Sequence, residues 1–302
     1  MKKLLIVLSL LSTVLYVGNV SGGSGTAGFT FLKMPQGVRA QAMGENFVAV
    51  ADDTSSIFYN PSGMLKLNVM EISATHIIWV EQISKSELMF VYPKTVIGPI
   101  GVGINYVLVP YEKRDREDDT TYESASCWMS ALHLSWARKV KNFLLGGSLK
   151  YLIENLDVQQ VSGIALDVGG IYDLTSDISL GASIQNLGVQ FAKQDADTLP
   201  ILLRAGLAKK GLVEKRLLLA SDLVYGLVDG TVSIGIGGEY LLNNYFIPRI
   251  GYKYVITNNN LDFISGLNIG FGIKYKTFGF DYSFSPKADL GVAHLISFSA
   301  KF

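Results

Sequence analysis

Ile100, Val102, Ile104, Tyr106 and Leu108 interleave with Gly101, Gly103 and Asn105 along one stretch of the chain. Phe278, Phe280, Tyr282 and Phe284 do the same with Gly279, Asp281 and Ser283, and Phe271, Ile273 and Tyr275 with Gly272 and Lys274. A two-residue period puts one apolar and one polar or small face on a strand. Applied to the whole chain, it predicts strands at 68–80, 86–94, 98–110, 123–138, 143–154, 162–173, 177–187, 199–208, 216–225, 231–241, 245–256, 263–275, 278–285 and 291–302. The fold class is therefore all-β, with about fourteen strands, an even number that can close an antiparallel barrel with both ends on one side.

Periodicity alone does not separate a membrane barrel from a soluble sandwich. Connection lengths do more. Short connections at 95–97, 139–142, 174–176, 209–215, 242–244 and 276–277 alternate with a set that includes the two longest, 111–122 and 188–198. Short periplasmic turns and longer external loops give that alternation in transmembrane barrels. The last strand agrees: Ile296, Phe298, Ala300 and Phe302 share one face, with Leu295, Ser297, Ser299 and Lys301 on the other. Phe298 and Phe302 are read as the C-terminal signal to the barrel-assembly machinery. Aromatic residues near strand ends, among them Trp79, Tyr92, Trp128, Trp136, Tyr245 and Tyr275, suit the two lipid–water interfaces.

Composition narrows the class. The mean hydropathy is positive, yet beyond the N-terminus no apolar run reaches the length of a spanning helix. Residues 1–22 read as a secretory signal peptide: Lys2 and Lys3, an apolar run at 4–16, then small and polar residues. This implies Sec-dependent export and integral residence in the cell outer membrane, with outer-membrane lipid as a partner. One cysteine, Cys127, excludes an internal disulfide, and a formal net charge of zero gives no reason to expect nucleic-acid binding. Lys150, Asp167, Asp222, Glu239, Arg249, Lys253, Lys274 and Asp281 fall on lumen-facing positions. Buried charges must pair or meet water, and mixed signs on neighbouring strands favour a ladder of salt bridges over a polar path.

Residues 23–67 break the strand pattern. The segment is rich in small residues, with a short helix expected after Asp52 or Asp53 as N-cap and a tight turn at Asn60-Pro61 with Gly63. Eight-stranded barrels fill with their own side chains, whereas wider ones leave a channel. A fourteen-stranded barrel at 68–302 needs a filler, and Phe29, Phe31, Phe47, Ile57 and Phe58 need burial. The segment is therefore expected to be a plug, or hatch, inside the lumen.

Thr26-Ala27-Gly28, Phe31-Leu32, Arg39-Ala40, Met43-Gly44, Ala49-Val50-Ala51-Asp52-Asp53 and Asn60-Pro61-Ser62-Gly63 resemble the N-terminal signature of the PorV/PorQ family, itself similar to FadL-type outer-membrane barrels. Ala165-Leu166-Asp167-Val168-Gly169, Gln185-Asn186-Leu187-Gly188 and Arg249-Ile250-Gly251-Tyr252 extend the resemblance, with Ser62 where Ala is usual. It implies a fourteen-stranded barrel with a hatch, in which Arg39, Asn60, Pro61 and Gly63 lie on the ligand path. Two functions follow from it: binding or passing a small hydrophobic molecule, or a role like that of type IX secretion components, holding secreted protein cargo through external loops.

Enzyme chemistry finds no support. The glycine motif beginning at Gly23 follows a signal peptide rather than a strand, so it is no dinucleotide site. His76, His133 and His294 stand alone, without the partners a metal site needs, and Ser130 near His133 is the only hint of a hydrolase dyad. No metal and no cofactor are expected. The charge-dense run 114–119 reads as a solvated loop tip.

Overall fold

In the computed structural model of the chain, residues 27–113, 123–157, 159–191, 197–257 and 262–302 are described. The signal segment 1–22, most of the glycine motif and the run 114–119 lie outside them. The wall consists of β1 (Glu71–Ile78), β2 (Ser84–Tyr92), β3 (Ile100–Lys113), β4 (Glu123–Val140), β5 (Phe143–Leu156), β6 (Gln159–Asp173) and β7 (Ile178–Phe191). It continues through β8 (Leu202–Gly211), β9 (Leu217–Gly226), β10 (Val232–Tyr240), β11 (Phe246–Val255), β12 (Leu267–Tyr275), β13 (Phe278–Pro286) and β14 (Val292–Lys301). Each strand pairs antiparallel with its chain neighbours, and β14 pairs back to β1 from Glu71↔Lys301 to Ile78↔His294, closing the barrel. Closure leaves no unpaired edge, which a spanning sheet requires.

All fourteen expected strands form. The largest boundary shifts are four residues, at the end of β7 (187 to 191) and the start of β12 (263 to 267). The second has a local cause: Phe263–Gly266 winds into a 3-10 turn before the strand begins. The expected length alternation is imperfect, because β5 and β6 approach to a connection of only 157–158. A bulge interrupts the β6–β7 pairing between Leu166 and Val168, so Gln185 and Asn186 both turn inward.

Burial alternates along most of the wall, without a break in β1 and over the first eight residues of β3. Ile100, Val102, Ile104, Leu134, Leu149 and Ile250 face outward and are exposed, forming an apolar belt. A belt of that kind belongs against acyl chains, and the molecule is a transmembrane barrel. One end of the barrel carries the beginning of β1, the end of β14 and most of the short connections; it is called the turn end below, and the opposite one the loop end.

The lumen holds residues 27–66. Chain pairing between Ala27 and Thr198 anchors the segment at the loop end. It then descends through a 3-10 turn (Thr30–Lys33), α1 (Val38–Ala42), α2 (Ser56–Tyr59) and a second 3-10 turn (Pro61–Lys66) into β1. Phe29, Phe47, Ile57 and Met64 are wholly buried, and Phe31 and Phe58 nearly so. Each such side chain withdrawn from water contributes about 1.5–3 kcal/mol. The helix prediction needs correction. There are two short helices rather than one, and neither Asp52 nor Asp53 caps them: Ser55 holds the N-cap position of α2 without a side-chain bond. Asp53 Oδ1 instead accepts from the Ser55 N–H at 2.8 Å, forming the turn before the helix.

Inward glycines of the wall seat the hatch backbone. A Cβ on Gly181 would collide with the Val48 carbonyl oxygen, and one on Gly146 with the Ser62 amide nitrogen. Gly181→Val is therefore expected to leave the barrel folded, seen as heat-shifted mobility on a gel, while trypsin cuts at Arg39 and Lys66 that the wild type protects. Unchanged protection would count against the seating.

Candidate functional site

Arg39 is the hub of the lumen at its turn end. It sits on α1, half a turn past Gly37, whose positive φ of 70° sets the direction of the helix. Its Nη1 donates to Asp52 Oδ1 at 2.6 Å and Asp53 Oδ2 at 3.0 Å. Its Nη2 and Nε grip Glu239 of β10 at 2.6 and 2.9 Å, a two-pronged guanidinium–carboxylate contact. The cluster spreads into the wall: Arg249 Nε donates to Glu239 at 3.0 Å and Arg249 Nη1 to Asp281 at 2.5 Å, while Lys210 Nζ meets Asp52 at 2.6 Å. The Arg39 guanidinium also lies 5.3 Å from the centre of the Phe47 ring.

Burial pushes the Asp52 carboxyl up, but Arg39 and Lys210 overcome it and hold it below the usual carboxylate range. Burial lowers Arg39 as well, and its acidic partners more than reverse this, so it stays charged. Lys66 is different: burial takes its ammonium down to about 8, Asp52 opposing only in part. Its Nζ donates to the Ala49 and Val50 carbonyls, each at 2.8 Å, and ends that stretch of hatch.

A second set of contacts holds the loop-end half. Lys253 Nζ meets Glu45 at 3.0 Å, with Arg204 at 3.7 Å on the other carboxylate oxygen. Burial raises the Glu45 carboxyl, and Lys253 and Arg204 bring it down below its ordinary value. The buried pair Lys85–Glu87, 2.9 Å apart on β2, clamps the chain between α1 and the first turn: Lys85 donates to the Pro35 carbonyl and Glu87 accepts from the Gly37 N–H.

All eight expected lumen charges point inward. Lys150–Asp167 at 2.7 Å joins neighbouring strands, as a ladder requires, and so does Glu239–Arg249. The others amend the expectation of a ladder confined to the wall. Asp222 forms no ion pair among the described residues but accepts the Phe47 and Val48 N–H groups at 2.8 and 2.9 Å. Lys253 reaches the hatch, and Lys274 lines a cavity of about 380 Å³ at the turn-end mouth, without an ion pair among the described residues. Three of the eight, Asp222, Glu239 and Lys253, thus bond hatch groups.

Asn60, Pro61 and Gly63 meet as one structural unit. Asn60 Nδ2 donates to the Val48 and Gly170 carbonyls at 2.9 and 3.1 Å, and Asn60 Oδ1 accepts from Ser62 at 2.7 Å. Pro61 opens the 3-10 turn that the Gly63 N–H closes onto the Asn60 carbonyl at 2.9 Å. All three are buried and tie the hatch to β6, whereas Arg39 alone of the four hatch residues borders the mouth cavity. Sequence reasoning missed Glu45, Lys85, Glu87, Arg204 and Lys210. The β2 pair was within reach, because outward Leu88, Phe90 and Tyr92 force Lys85 and Glu87 to the opposite face. Ser130 and His133 lie on opposite faces of β4, so they form no dyad. Phe298 and Phe302 are exposed on the outside near the closing seam.

Two apolar clusters lie beside these polar contacts. Phe29, Phe31 and Leu32 pack with Val107, Leu152 and Leu199 toward the loop end. Phe47, Ile57, Phe58 and Met64 pack with Met89, Val91 and Ile171 below.

No protein-family profile and no curated protein matches the sequence. The fold is shared with solved outer-membrane barrels. The toluene transporter TodX of Pseudomonas putida aligns at 13% identity over 88% of this chain and 98% of its own, with a TM-score of 0.65. The toluene transporter TbuX of Ralstonia pickettii aligns at 15% over 88% and 98%, with a TM-score of 0.61. A FadL homologue of Pseudomonas aeruginosa aligns at 12% over 89% and 98%, with a TM-score of 0.57. At identities so low the likeness shows a shared barrel fold alone.

Arg39→Leu leaves the carboxylates of Asp52, Asp53 and Glu239 short of their shared partner in a largely dry site. Breaking a buried pair in this way costs about 3–5 kcal/mol. Amide exchange across residues 38–64 is expected to rise sharply in the variant while the strands stay protected. The Asp52 shift fixes the pH dependence. A depressed carboxyl adds stability that is complete above the unfolded value of 3.8 and fades as pH falls through the folded one. Hatch protection at pH 7 should therefore persist at pH 4, and loss of it between those values would contradict the assignment.

Proposed function

We propose that the barrel resides in a bacterial outer membrane, reached by Sec-dependent export, with its turn end in the periplasm, and that it passes a small hydrophobic molecule past the hatch. One observation carries this reading. The hatch fills the lumen yet contributes no strand to the wall; beyond the Ala27–Thr198 bridge, side-chain contacts and packing hold it. It can shift without opening the barrel seam, and its apolar zones offer surface to a solute that water would reject. The likeness to TodX and TbuX, both toluene transporters, points to apolar solutes of that size. The C-terminal Phe298 and Phe302 serve the barrel-assembly machinery on this reading, and outer-membrane lipid is the standing partner.

A second reading follows from the PorV/PorQ resemblance: a component like those of type IX secretion that holds secreted protein cargo on its external face. The lumen occupied by buried hatch side chains favours it.

Locking the hatch discriminates between them. Thr54 and Ser73 hydroxyls lie 2.6 Å apart, across the junction of hatch and β1. Thr54→Cys with Ser73→Cys, in a Cys127→Ser background, is expected to form a disulfide. Radiolabelled toluene uptake by cells expressing it should fall to the empty-vector level when oxidised and return on reduction. Uptake unaffected by the lock would sink the transport reading, and a secreted protein retained equally in both redox states would support the second.

A further inference from the structure

A groove of about 590 Å³ at the turn-end rim lies apart from the hatch tether. Trp136, Arg138 and Lys139 of β4 form one side, Val96 and Ile97 of the β2–β3 connection the other, with Leu65 of the hatch behind. The Trp136 Nε1–H donates to the Ile97 carbonyl at 2.9 Å, which tethers the exposed indole at the rim. Val96 and Ile97 are among the most exposed apolar side chains of the molecule, at 105% and 64%. Apolar tips and a tethered tryptophan at that height mark an interface between acyl chains and head groups.

The charge of the site is one-sided. Segments 93–99 and 136–145, which build it, carry Lys94, Arg138, Lys139 and Lys141 and no carboxylate. Neither Arg138 nor Lys139 has an ion-pair partner among the described residues, unlike Arg39, Lys150, Arg249 and Lys253 in the lumen. Directly adjoining them, an outward column of Ile100, Val102, Leu134, Leu145 and Leu149 runs up the wall, set in register by Ile100↔Trp136, Val102↔Leu134 and Arg138↔Leu145. A soluble anion would use the cations alone; only an amphiphile uses both the cations and the column.

We propose that this groove binds an anionic phospholipid of the leaflet at the turn end, its phosphate held by Arg138 and Lys139 and its acyl chains lying along the column. The proposal rests on the barrel spanning a membrane, and stands or falls independently of transport. The full chain, purified in detergent, would be titrated with phosphatidylglycerol, phosphatidylcholine and inorganic phosphate, and bound species read by native mass spectrometry. Phosphatidylglycerol is expected to bind more tightly than phosphatidylcholine, and phosphate neither to bind nor to compete. The double variant Arg138→Ala, Lys139→Ala should lose roughly 25-fold in phosphatidylglycerol affinity, about fivefold for each cation near a lipid surface. Lys215→Ala with Arg216→Ala, an equally charged pair elsewhere on the rim, should lose nothing. Equal loss in the two double variants, no loss in the first, equal binding of the two lipids, or displacement by phosphate would each overturn the site.

Discussion

Fourteen strands hydrogen-bonded into a ring enclose more room than the side chains of their inner faces can occupy. Everything else in the molecule answers that geometric constraint. The wall solves its own backbone hydrogen bonding by closing β14 on β1, and it solves lipid contact with the outward belt. Neither fills the lumen. Residues 27–66 do, which explains why a segment so poor in regular structure is among the most deeply buried parts of the chain.

The filler is joined to the wall by contacts of two strengths. Phenylalanines and methionines of the hatch pack against inward-facing Val, Met and Ala, a non-directional attraction that tolerates sliding. Arg39 with Asp52, Asp53 and Glu239, Lys253 with Glu45, and Asp222 with two hatch amides are directional and fix one position. Such buried charge pairs add little net stability compared with apolar packing, but removing one partner is costly. A plug held in this way is specific in place, because the directional contacts select one position among those that packing alone would allow.

The wall was largely legible in the sequence. Strand period, strand number and the inward set of charges follow from alternation, because a closed sheet with lipid outside leaves each side chain a binary choice. The helix cap shows the limit, for the helix forms at Ser56–Tyr59 but neither aspartate caps it. Asp52 and Asp53 carry the composition of N-caps, yet their oxygens are engaged by Arg39 and Lys210, and Lys210 is distant in the chain. The same long range hid Arg204 beside Glu45, and the role of Asn60, which reaches carbonyls of both the hatch and β6. Local spacing reports which face a residue takes; only the register of the whole ring reports what stands opposite. Lys85 and Glu87 are the exception, legible from the alternation of β2 alone.

Single-channel recording in planar bilayers addresses the stoppered lumen most directly. The full chain should show little steady conductance, and deletion of residues 27–66 should give a constantly open pore passing small ions. A full chain that conducts as freely as the deletion, or a deletion that stays shut, would contradict a lumen closed by the hatch.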